Sequence, residues 1–157
     1  MSIFKRKLKN IINSLMKNNS CKVSELTIKQ SDTPIKCWKI FKVNGNTYFG
    51  PFTDFNFGKL KQGDIIYPKG TAKIKYNEED AWYELTDGFI HTLNYCPENL
   101  NSFICPKHDE RFEVWECEIP QNSLFFQANR RGSHYESNNS YACKALKLNK
   151  FIKSIEF

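Results

Sequence analysis

From residue 35 onward, apolar residues recur at every second position in short runs broken by turn residues, and this constrains the fold more than any other feature. The stretch 111–119 is the clearest case. Phe112, Val114 and Glu116 fall on one side, Glu113, Trp115 and Cys117 on the other, and Pro120 ends the run. Alternation of this kind suits a pleated strand with two unlike faces, not a helix. Residues 36–43 predict another strand, and Asn44-Gly45 after it is a strong hairpin signal because both residues tolerate positive φ. Residues 47–49 supply the return. Shorter strands are expected at 64–67, 71–76, 81–85, 88–93 and 123–126, with a terminal strand at 151–157. Residues 142–148 suit strand or helix. Pro97 suits the first turn of a short helix reaching Phe103. Residues 50–63 and 127–140 read as loops.

The expected class is α+β and mainly β: a mostly antiparallel sheet, half-open barrel or sandwich with an amphipathic helix at its N-terminus. Aromatic residues make up 15% of the 157 residues, a load that favours packing across pleated faces. The helix is read from Ile3, Phe4, Leu8, Ile11, Ile12, Leu15 and Met16, which recur at three- and four-residue steps with lysines opposite. Residues 1–34 are therefore expected to form a basic helix and linker, and residues 35–157 a single β-rich domain.

Five of the six net positive charges sit in that helix. Five of the 23 basic residues, and none of the 17 acidic ones, lie within 1–17, which leaves 18 against 17 elsewhere. The helix could meet nucleic-acid phosphates or an anionic membrane. It could equally pack its aliphatic face on the domain or on a second copy, giving a homo-oligomer through residues 3–16. No apolar run is long enough for a transmembrane helix, and Lys9, Asn10 and Asn13 interrupt any export signal. The expected location is cytoplasmic, with the six cysteines as reduced thiols. Cys96, Cys105, His108 and Cys117 include a C-x-x-H pair but no second tight pair, so the spacing does not specify zinc.

Three places invite a ligand. Arg130-Arg131-Gly132-Ser133-His134-Tyr135 brings together two guanidiniums that match phosphate oxygens, a flexible glycine, an imidazole and a ring. A solvated loop tip is the plain alternative. His91, in an apolar strand, can bond a ligand hydroxyl or serve as a satisfied core histidine. Trp82 and Tyr83 can stack on a base or belong to the core. No phosphate-binding P-loop, nucleophile elbow or zinc-protease helix is present, so no catalytic residue and no cofactor is assigned.

The order Cys37-Trp38-Lys39-Ile40-Phe41-Lys42-Val43, then Gly88-Phe89-Ile90-His91, then Glu113 through Pro120 followed by Phe125 and Phe126, resembles a layout found in small proteins of phages and mobile elements. It is also similar to ADP-ribosyltransferase-like domains, and that resemblance implies an NAD ribose at His91, with Tyr135 and Glu136 as later site residues. The leading expectation is a non-catalytic protein that binds a phosphate-bearing nucleotide through Arg130, Arg131, His134 or His91, and Trp82, Tyr83 or Tyr135. By analogy with phage proteins of this kind, it would sequester a nucleotide immune signal of the host. An NAD-using transferase and a nucleic-acid-binding module acting through the basic helix are the alternatives.

Overall fold

The computed structural model describes residues 21–23, 27–50, 56–78, 81–85, 87–97, 110–130 and 139–156. Thirteen strands run through them: β1 Cys21–Val23, β2 Lys29–Gln30, β3 Ile35–Asn44, β4 Thr47–Phe49, β5 Asn56–Gly58, β6 Ile65–Ile66, β7 Ile74–Asn77, β8 Trp82–Leu85, β9 Ile90–Leu93, β10 Glu110–Ile119, β11 Leu124–Arg130, β12 Ser140–Cys143 and β13 Leu146–Glu156. Every strand pairing among the described residues is antiparallel. The fold is mostly antiparallel sheet and forms no closed barrel, and the described residues include no helix. The expected N-terminal helix and the short helix after Pro97 lie outside the described residues.

The main path of the sheet is β6-β13-β10-β3-β9-β12-β11-β1-β8-β7. Its two end strands are consecutive in sequence. Laid flat, nine strand spacings would part them by ~43 Å. The chain from Ile66 to Ile74 can reach at most ~28 Å. The sheet must therefore curl, and the curl gives it two sides to fill.

Two apolar clusters fill them. The larger gathers Cys37, Phe41 and Val43 of β3, Trp115, Cys117 and Ile119 of β10, Ile90, Phe125, Cys143, Leu146 and Leu148. The smaller holds Val23, Leu85, Phe126, Ala128 and Ala142, with Tyr83 and Phe89 packed on it. Neighbours in sequence divide between them: Phe125 and Cys143 face one core, Phe126 and Ala142 the other. The middle of the sheet is thus buried on both faces, which is why apolar neighbours stand side by side there, as at Phe125-Phe126 and Ala142-Cys143.

Several sequence expectations change in detail. The hairpin after β3 pairs Asn44 with Thr47, so the two turn residues are Gly45 and Asn46. Gly45 takes φ 61°, the positive value a tight hairpin favours at its first turn position. Residues 20–34, read as linker, contribute β1 and β2, both paired to β11. Short exposed strands such as Lys29–Gln30 carry no alternation to read. The segment after β2 is clasped to the β10–β11 turn: the buried Ser31 hydroxyl donates to Pro120 O at 2.6 Å and accepts from Ser123 N at 3.0 Å. Strand β11 extends through Arg130, into residues read as loop. The ambiguous 142–148 is the junction of β12 and β13, broken only at Lys144 and Ala145.

Candidate functional site

Strand β3 alternates Cys37, Lys39, Phe41 and Val43 into the larger core. Lys39 is the exception to an otherwise apolar row. Its side chain is buried, and Nζ donates to the backbone carbonyl of His91 at 2.9 Å and lies 5.4 Å from the Phe41 ring centroid. Directly opposite Lys39, in register, stands Trp115, with Cys117 opposite Cys37 and Glu113 opposite Phe41.

Glu113 is a second buried charge. Its Oε1 accepts from the Tyr48 hydroxyl at 2.7 Å and from Trp115 Nε1 at 3.0 Å. Its Oε2 accepts from Arg111 Nε at 3.0 Å, and Arg111 also donates to Gly45 O at 3.1 Å. A carboxylate so supplied with donors stays inside at tolerable cost. Burial, and then the Glu113 carboxylate that its hydroxyl bonds, push the Tyr48 phenol well above its ordinary range. The arrangement locks the β3–β4 hairpin to β10.

The facing thiols of Cys37 and Cys117 are both fully buried, and desolvation raises both. Cys37 is pushed up to about 12, and Cys117 higher. The Thr92 hydroxyl, also buried, makes no well-formed hydrogen bond and has the Cys37 thiol as a weak neighbour. Burial also raises the Tyr141 phenol, with a smaller contribution from Cys37. These thiols are protonated and inert at neutral pH, the reverse of an activated nucleophile.

A pH dependence follows. Each of these groups holds its proton in the folded chain at a pH where the unfolded chain ionises. Their stabilisation is complete below the unfolded thiol value near 9 and is lost as pH rises toward about 12. Urea midpoints should therefore fall steadily above about pH 9, each buried thiol adding at most about 1.4 kcal/mol per pH unit. A Cys37→Ala, Cys117→Ala double variant should show a shallower decline. An unchanged slope would remove the thiols from the account.

The expected ligand residues divide as follows. His91 lies in β9, half-buried, its ring centroid 6.4 Å from Phe89. It stands opposite Ala142, and Ala142 opposite Phe126, so His91 faces the side of the smaller core. Tyr83 lies on that side too, in the row with Val23, and its ring is 4.9 Å from Tyr76. Trp82 precedes it in β8, so alternation directs it to the opposite face. Strands β9 and β8 are four places apart, ~19 Å in a flat sheet. Arg130, the last residue of β11, is the register partner of Cys21. Arg131, His134 and Tyr135 lie outside the described residues. Next to His91, the Lys144 ammonium sits 4.7 Å from the Phe89 ring centroid and donates to Gly88 O at 2.6 Å.

Sequence reasoning passed over Lys39 and Glu113. The available signal was a charged residue in phase with buried ones: Lys39 between Cys37 and Phe41, and Glu113 in the row of Trp115 and Cys117. Of the four residues weighed for zinc, Cys117 is sealed in the larger core against Cys37, Cys96 is half-buried, and Cys105 and His108 are not among the described residues. Among the described residues no three acids, histidines or cysteines cluster as metal ligands, and no helix is long and apolar enough to cross a membrane.

The chain matches no family model, and no curated protein or solved structure is significantly similar to it.

Proposed function

We propose that this chain is a non-catalytic binding protein whose ligand is a phosphate-bearing nucleotide. One observation carries the reading. Tyr83 and His91 share a sheet face on either side of β11, and β11 ends at Arg130, where the chain runs on into Arg131 and the Gly-Ser-His-Tyr segment. Guanidiniums at the end of a strand can clamp phosphate while the Tyr83 ring to one side of β11 meets a base, or the His91 imidazole to the other side meets a ribose hydroxyl. The absence of catalysis is inferred from how the interior polar groups are spent. Lys39 and Glu113 bond within the fold, and the buried thiols of Cys37 and Cys117 are held protonated. A phage-type protein of this kind would act by sequestering a nucleotide immune signal intact.

The test is titration calorimetry of the full chain with NAD, mononucleotides and cyclic and linear dinucleotides, followed by recovery of the ligand. The expected result is one nucleotide class bound and released unchanged. Its affinity should fall by at least about 100-fold when Arg130 and Arg131 are both replaced by alanine, since each charge-assisted contact contributes about 1.5–3 kcal/mol. Unchanged affinity in that variant would overturn the reading, as would release of nicotinamide from NAD.

A further inference from the structure

Strand β7 ends the sheet. It pairs with β8 in unbroken register, Ile74 with Leu85, Lys75 with Glu84, Tyr76 with Tyr83 and Asn77 with Trp82. Its other edge has no strand partner among the described residues. Residues 71–76 are all exposed. Unpaired backbone N–H and C=O groups along such an edge form a template for another strand.

Natural edges are blunted by bulges, prolines or guarding charges. Here β7 has no bulge, and residues 71–77 contain no proline. Lys73 is drawn back to Asp87, its Nζ 3.3 Å from the carboxylate. Lys75 is therefore the charge left on the strand itself. The side chains beside the edge are also matched in rows. On one face Leu85 is buried and its neighbour Ile74 is 43% exposed, while Tyr83 is half-buried and its neighbour Tyr76 is 49% exposed. The apolar rows thus run outward to the edge and stop in solvent. On the other face Glu84 is followed by Lys75, so the next place outward calls for an acid.

We propose that the free edge of β7 is a docking site for an extended segment of a partner protein in which an acidic residue lies between two apolar ones. The segment adds as an antiparallel strand. Its backbone takes up the open ladder groups, its acid pairs with Lys75, and its apolar residues cover Ile74 and Tyr76. The site adjoins Tyr83, whose ring is 4.9 Å from that of Tyr76, but uses neither Arg130 nor His91.

The probes are a peptide of alternating valine and threonine with one central glutamate and its twin with a central lysine, titrated into the full chain by fluorescence anisotropy. The glutamate peptide should bind about fivefold more tightly, the scale of exchanging a like for an opposite cross-strand charge. Lys75→Glu, an exposed change that sets a like charge beside Glu84 and lowers the melting temperature slightly, should reverse the preference. Tyr76→Pro, which removes a backbone donor at the edge, should weaken both peptides. Failure of the glutamate peptide to bind, or equal binding unaltered by Lys75→Glu, would overturn the proposal. So would sedimentation showing a dimer that Tyr76→Pro dissociates, because a second copy would then be the occupant.

Discussion

Glu113→Ala is expected to cost about 3–5 kcal/mol, the range for removing one partner of a buried ion pair. The carboxylate is reached by three donors on two strands, and its own side chain is only 7% exposed. Deleting it leaves the Tyr48 hydroxyl and the Trp115 indole N–H without acceptors inside the larger core, each a penalty of about 1–3 kcal/mol. Arg111 loses less, because it is 29% exposed and keeps the Gly45 carbonyl. Urea unfolding should show the midpoint falling with an unchanged slope, as for a loss of stability without a change of fold. Glu113→Gln retains an acceptor for Tyr48 and Trp115 but turns an amide N–H toward Arg111, so it should cost roughly half as much. Tyr48→Phe, which removes one donor and its hydrogen bond, should cost about 1 kcal/mol. If Glu113→Ala instead costs less than the tyrosine change, the carboxylate does not organise this hairpin.

The legible part of the fold was the part with unlike faces. In β3, and in β10 from Glu116 onward, the alternation showed directly, and the pairing of Cys37 with Cys117 follows from two strands of equal length in antiparallel register. Strands buried on both sides gave a weaker signal. Ala142-Cys143 and Leu146-Lys147-Leu148 belong to two strands separated by two residues, and a run of that composition carries no period to tell strand from helix. Strands β1 and β2 left no trace because their pairing with β11 is a long-range contact between mostly polar residues. Curvature was also hidden. It shows only once β6 and β7, adjacent in sequence, are found at opposite ends of the sheet. For the candidate site, residue type pointed to His91 and Tyr83, which do share a face, and to Trp82, which does not. The difference is one position in β8. A shift of one residue changes the face of a strand residue entirely, and no composition argument fixes it. The buried charges were missed for the opposite reason: Lys39 and Glu113 fit the pattern only when their partners, a carbonyl from β9 and donors from β4 and β10, are known.

The curl itself can be tested at Gly88. This residue sits in the turn before β9 with φ 78°, and a Cβ there would come within 2.4 Å of the backbone N and Cα of Ala72. Ala72 belongs to the 67–73 connection that joins the two ends of the sheet. That connection cannot simply shift, because Lys73 N donates to Asp87 O at 2.9 Å and the Lys73 and Asp87 side chains pair. Gly88→Ala therefore combines a left-handed backbone penalty of about 1–2 kcal/mol with a clash against fixed backbone. A total of about 3 kcal/mol or more is expected, which for a chain of this size lowers the melting temperature by roughly 6–12 °C. Gly70 supplies the control. It has φ 84° in the same connection, but a Cβ there meets nothing within 4 Å. Gly70→Ala should show the backbone penalty alone, and the gap between the two variants measures the close approach. Hydrogen exchange should report faster exchange at Lys73 N in Gly88→Ala and unchanged exchange in Gly70→Ala. Equal losses from the two substitutions would mean that the connection is not held against the β8–β9 turn, and the tight curl of the sheet would lose its anchor there.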